Sequence, residues 1–155
     1  MHRIIFICTG NVCRSPMAEG ILKARWGALG LSGLAVSSMG IHGMDHQGAA
    51  PLAQDICLEN GVDISGHVSR QLNFEEIGAS DLIFCLEMIH KDFILMFFPH
   101  LVDRVFLLGC WPDRDSKKGN IKDPMGGGLR DFRRAFETIS GHIDRIIFDL
   151  QELFS

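Results

Sequence analysis

Arg3-Ile4-Ile5-Phe6-Ile7-Cys8-Thr9-Gly10-Asn11-Val12-Cys13-Arg14-Ser15-Pro16 is the stretch from which the fold follows. Its first half is apolar and rich in β-branched residues, the mark of a strand buried on both faces. Thr9-Gly10-Asn11 breaks that run as a tight loop. A helix is predicted next: Ser15 is placed to cap it, Pro16 suits its first turn, and Met17, Ile21, Leu22 and Trp26 recur at helical spacing until the Gly27–Gly33 region. Backbone N–H groups of a strand-to-helix loop converge on one point, and the positive end of the helix dipole adds to the field there. Cys8 sits at the mouth of that loop, where the amides, the helix terminus and Arg14 all favour a thiolate. Arg14 offers a planar pair of donors to phosphoryl oxygens and keeps its charge throughout.

Outward from this segment, strands and helices alternate. Strands are predicted at Leu34–Ser37, Asp81–Cys85 and Arg104–Leu107, with helices at about Ala50–Glu59 and Glu87–Phe98. A Gly-rich loop runs from Met39 to Gly48. A long polar one, Gly109 to Gly128, is expected to be functional because idle loops of that length are uncommon. Leu129, Phe132, Phe136, Ile139, Ile143, Ile147 and Leu150 mark one face of a terminal helix, with Arg133, Arg134, Asp144 and Asp149 away from it. The pattern predicts an α/β fold, one domain over residues 1–155, with a parallel sheet covered on both faces and ligands at the carboxyl ends of the strands.

The chain has 155 residues, 46% hydrophobic and 22% charged, with a formal charge of −4. That composition suits one ordinary globular core and lacks the basic footprint that nucleic-acid binding requires. The apolar run at the N-terminus is too short for a signal-peptide core or a membrane span. Five cysteines, an odd number at irregular spacing, point to a reducing, cytoplasmic setting with free thiols. No metal and no cofactor is expected: Cys8 and Cys13 have no second pair, and His42 and His46 have no third ligand. Phe93, Met96, Phe97 and Phe98 read as a helix face packed on the sheet.

A bare Cys-x5-Arg spacing is a weak signal, but the whole string resembles the signature loop of the low-molecular-weight protein tyrosine phosphatases. The resemblance extends to Gly66-His67-Val68-Ser69-Arg70-Gln71-Leu72, to Asp81–Cys85 and to Asp123-Pro124 before the terminal helix. It implies a four-stranded sheet in the order 2-1-3-4. It also implies that Cys8 attacks phosphorus, that the loop Thr9, Gly10, Asn11, Val12, Cys13, Arg14 and Ser15 binds phosphate, and that Asp123 protonates the leaving oxygen and then serves as base. A carboxyl group on a loop is chemically suited to both steps. By the same resemblance Asn11, Ser38 and His67 brace the loop, Ser15 donates to the Cys8 sulfur, and Cys13 traps an oxidised Cys8 as a disulfide.

The expected substrate is a phosphorylated protein or a small phosphomonoester; the oligomeric state is left open. Phosphotyrosine-directed members carry aromatic residues where this chain has Met125-Gly126-Gly127-Gly128 and Ile41 or Met44. Asp-Pro-Met-Gly-Gly is similar to a bacterial branch that contains protein arginine phosphatases, in which a threonine stands where this chain has Val12. Valine offers a guanidinium only methyl groups, so the tyrosine reading stands ahead of the arginine one. An arsenate-reductase relay would need a cysteine at position 92, which is Asp92, in addition to Cys85. A silent phosphate-binding module would have no use for Asp123.

Overall fold

The computed structural model describes residues 1–155. In chain order the elements are β1 (His2–Cys8), α1 (Arg14–Ala28), β2 (Leu34–Gly40), α2 (Pro51–Glu59), α3 (Phe74–Gly78), β3 (Leu82–Cys85), α4 (Met88–Phe97), β4 (Val105–Leu107) and α5 (Leu129–Leu153). The four strands form one parallel sheet in the order β2-β1-β3-β4.

β1 lies between two neighbours, and Ile4 to Cys8 are all buried, which is why the run is apolar at every position rather than at alternate ones. Side chains along a strand point alternately to opposite faces. Ile4, Phe6 and Cys8 accordingly pack with residues of α1, α2 and α5, whereas Ile5 and Ile7 pack with Ile77 of α3 and Ile94 of α4. Helices thus cover both faces, giving three layers. The chain leaves β1 toward β2 on one side and pairs with β3 on the other. The crevice where strand order diverges therefore opens at the carboxyl end of β1, at Cys8.

Several sequence expectations need correction. Ser15 does not cap α1: Cys13 occupies that position without a side-chain cap bond, and the Ser15 hydroxyl turns back toward Cys8. β2 runs on to Gly40. α3 is too short to leave a periodic signal; Asn73 starts it by accepting from the Glu76 amide at 3.0 Å. The aromatic face of α4 is only partly covered. Phe93 and Phe98 pack on the core, but Met96 and Phe97 are exposed. On α5 the apolar face is buried from Phe132 to Leu150, and Leu129 is exposed at its start.

Candidate active site

The loop from Cys8 to Ser15 closes into a cup at the N-terminus of α1, and Cys8, Asn11, Arg14 and Ser15 are all almost fully buried there. Asn11 takes a left-handed backbone with φ of 59°, a conformation asparagine tolerates better than most residues. Four hydrogen bonds hold it. Its Nδ2 donates to Ser15 Oγ and to Ser38 Oγ, each at 2.9 Å. Its Oδ1 accepts from the Arg70 amide at 3.0 Å, and its carbonyl oxygen accepts from His67 Nε2 at 2.7 Å. The direction of the bonds settles two protons. A carbonyl can only accept, so His67 carries its proton on Nε2. Ser15 Oγ already accepts from Asn11, which leaves its own proton for Cys8 Sγ, 2.8 Å away. The Ser38 hydroxyl donates to Glu19 Oε1 at 2.7 Å.

Arg14 is clamped on its far edge. Nη1 donates to the Ile121 carbonyl at 2.7 Å and lies 3.2 Å from Glu87 Oε2; Nη2 lies 3.5 Å from Asp123 Oδ2. Asp123 sits half-exposed on the loop before α5, where its Oδ1 accepts from the Met125 amide at 3.0 Å and closes a turn. Cys8, Thr9, Gly10, Val12, Cys13, Arg14 and Asp123 line one cavity of about 210 Å³, with His42, Met44 and Met125 also on its wall. Every sequence-predicted catalytic residue therefore meets in one place. Asn11, Ser15, Ser38 and His67 stand behind the cup.

Cys13 and Cys85 hold their protons. Burial, then the nearby Asp123 and Cys8 charges, push the Cys13 thiol up to about 12, so it stays protonated at neutral pH. Cys85 lies on the opposite face of the sheet and burial pushes its thiol up as well. Position 92 is an exposed aspartate, so the cysteine relay of an arsenate reductase has no partner for Cys85 there.

Sequence reasoning missed Glu87 and His90. Both follow β3, the immediate neighbour of β1, and that position at a strand's carboxyl end is the signal that could have found them. His90 is fully buried, and burial, then the Arg14 charge, lower it to about 3. A histidine that protonates less readily in the folded than in the unfolded chain adds stability above its ordinary value near 6.5, and this is lost as pH falls toward about 3. Glu76, held below the usual carboxylate range by Arg70, acts in the same direction at lower pH. The thermal midpoint is therefore expected to fall as pH drops from 6.5 to 4.5, with a flatter slope in His90→Gln. An unchanged slope would show that His90 takes up its proton as readily in the folded chain as in the unfolded one.

Comparison with known proteins places this geometry. Residues 3–153 match the family described as low molecular weight phosphotyrosine protein phosphatase. The protein-arginine-phosphatase of Geobacillus stearothermophilus is 34% identical over 150 residues, covering 97% of each chain. The low molecular weight protein-tyrosine-phosphatase Etp of Escherichia coli K12 is 33% identical over 144 residues, covering 93% of this chain and 88% of Etp. A solved structure of the YwlE arginine phosphatase, a cysteine-to-serine mutant with phosphorylated active site serine, superposes with a TM-score of 0.89 at 30% identity. It covers 96% of this chain and 95% of that one.

Proposed function

This chain belongs to the low molecular weight phosphotyrosine protein phosphatase family, and we propose that it hydrolyses phosphorylated protein side chains through a phosphocysteine on Cys8, phosphotyrosine ahead of phosphoarginine. The observation that carries the reading is the convergence of Cys8 Sγ, the Arg14 guanidinium and the Asp123 carboxyl group on one cavity at the N-terminus of a helix.

The first step forms the S–P bond as the bond from phosphorus to the leaving oxygen breaks, and the Asp123 carboxyl proton goes to that oxygen. In the second, the Asp123 carboxylate takes a proton from water, the new P–O bond forms and the Cys8 thiolate departs toward the Ser15 hydroxyl. Charge that builds on the equatorial oxygens in both steps meets the loop amides and the Arg14 edge left free by Glu87 and Ile121. The phosphorylated serine of the YwlE mutant supports a covalent route in this fold.

Val12 favours a phenyl ester over phosphoarginine. A guanidinium carries N–H donors that need acceptors from the wall, and the nearly buried Val12 side chain offers none. The arginine reading keeps a specific support in the relative from Geobacillus and in the absence of any aromatic side chain except His42 on the cavity wall. Comparing kcat/KM on phosphotyrosine, phosphoarginine and phosphoserine peptides separates the two. Phosphotyrosine should rank first in the wild type, and Val12→Thr should raise phosphoarginine relative to it; phosphoarginine first in the wild type reverses the assignment. All five cysteines are free and no helix is long and apolar enough to cross a membrane. A reducing cytoplasm, which keeps Cys8 as a thiol or thiolate, is the compartment this chemistry favours.

A further inference from the structure

His90 is the only fully buried histidine, and the two chemical steps leave it unused. Its Nδ1 lies 3.1 Å from the Glu87 amide nitrogen, which can only donate. Nδ1 therefore carries the lone pair, and the proton of the neutral ring sits on Nε2. Nε2 lies 3.0 Å from Thr9 Oγ1 and must donate to it. The Thr9 hydroxyl, now an acceptor on its His90 side, has its own proton left for another partner, and Thr9 lines the cavity beside Cys8. The same ring thus touches the residue that follows the nucleophile and the residue that grips Arg14. The charged groups facing it are Arg14, reaching over from α1, and Glu87, whose Oε2 is 3.8 Å from Nε2.

We propose that His90 is a positioning residue, which holds Thr9 with its hydroxyl proton turned to the cavity and fixes the Glu87 end of α4 against Arg14. This rests on the phosphatase reading of the site and adds a part to it. The link spans 81 positions of sequence and ties the phosphate loop to the first turn of α4, so that the amide cup and the guanidinium hold one spacing. Neutrality is essential. A protonated ring would have two donors, lose its bond from the Glu87 amide and set a second positive charge against Arg14.

The two nitrogens can be tested separately. In His90→Asn the amide oxygen stands near the place of Nδ1 and keeps an acceptor for Glu87, but nothing reaches Thr9. In His90→Gln the amide nitrogen stands near the place of Nε2 and restores the donor to Thr9. With para-nitrophenyl phosphate, His90→Asn and Thr9→Val are each expected to lower kcat/KM by about tenfold, and the double variant by about tenfold rather than a hundredfold, because both remove one link. His90→Gln should recover to within about threefold of wild type. The inhibition constant of inorganic phosphate should weaken alongside KM. A merely structural role would instead reduce the active fraction and leave both constants unchanged. Multiplied losses in the double variant, an unmoved phosphate constant, or a glutamine variant no better than asparagine would each overturn the proposal.

Nitrogen-15 NMR of the His90 ring provides a readout independent of turnover. Nε2 should stay protonated and Nδ1 bare from pH 8 to 5; a titration inside that window refutes the neutral ring, and a proton on Nδ1 refutes the tautomer. Failure of the underlying reading looks different: wild type that does not turn over para-nitrophenyl phosphate removes the phosphatase, while the ring spectrum and phosphate binding still report on the link between His90 and Thr9.

Discussion

Cys8→Ser should abolish turnover of para-nitrophenyl phosphate, by on the order of 10⁴-fold or more, while inorganic phosphate still binds with nearly its wild-type affinity. The two halves of this result have separate causes. Turnover needs an anionic nucleophile at neutral pH that is also a good leaving group in the second step, and a serine hydroxyl is neither. Phosphate binding needs the cup, and the cup does not depend on sulfur. Asn11 is held by Ser15, Ser38, Arg70 and His67, and Arg14 by Ile121 and Glu87. Ser15, whose proton now points at Cys8 Sγ, can donate to a serine oxygen in the same place. Slow attack followed by arrest would leave a phosphoserine, visible as the added mass of one phosphoryl group on the intact protein. Titration calorimetry with phosphate and a turnover assay on the same preparation check both halves. Near-normal turnover in Cys8→Ser would remove the covalent mechanism altogether, and lost phosphate binding in a folded variant would mean that the sulfur itself organises the loop.

The parts of the site that could be read from the sequence are those that lie close together along it. Cys8 to Ser15 form a continuous cup, so the strand, the turn residues and the first helical turn reveal one another. Asp123 was legible only through its resemblance to a known motif, because an aspartate before a proline is otherwise a common turn residue. Glu87 and His90 were legible only through their place just after a predicted strand: parallel pairing of β1 with β3 brings them to Thr9 and Arg14, and no motif announces a partner so distant. Ser15 shows a different failure. A serine at a helix start reads as a cap, but here the loop claims the hydroxyl for Asn11 and Cys8, and the helix begins without one. The α4 aromatics show a third. Helical spacing reports that apolar residues share a face and says nothing about whether anything covers it, and Phe97 is left exposed, with its ring 5.8 Å from that of Phe74.

Asp123→Ala should lower kcat/KM on phenyl phosphate by about 10²- to 10³-fold, and on para-nitrophenyl phosphate by clearly less. The difference tests the role directly. Nitrophenolate is stable enough to leave without a proton, whereas phenolate needs one as the P–O bond breaks, so a lost acid is felt most where the leaving group is poorest. Phosphate binding should move the other way or not at all. Asp123 Oδ2 lies 3.5 Å from Arg14 Nη2, and replacing that carboxylate removes a negative charge from beside the incoming anion. The pH profile carries the second signature. In wild type the first step needs the acid protonated and the nucleophile ionised, which gives a bell in kcat/KM; without Asp123 its descending alkaline limb should vanish while its acid limb remains. Phosphocysteine formation would then be limited by unassisted departure of the leaving group, and kcat/KM should become steeply dependent on that group's basicity. Equal losses of kcat/KM on both phenyl esters, or an alkaline limb of kcat/KM that survives in Asp123→Ala, would assign the proton to another group, and Glu87, 3.2 Å from Arg14, would be the first carboxylate to examine.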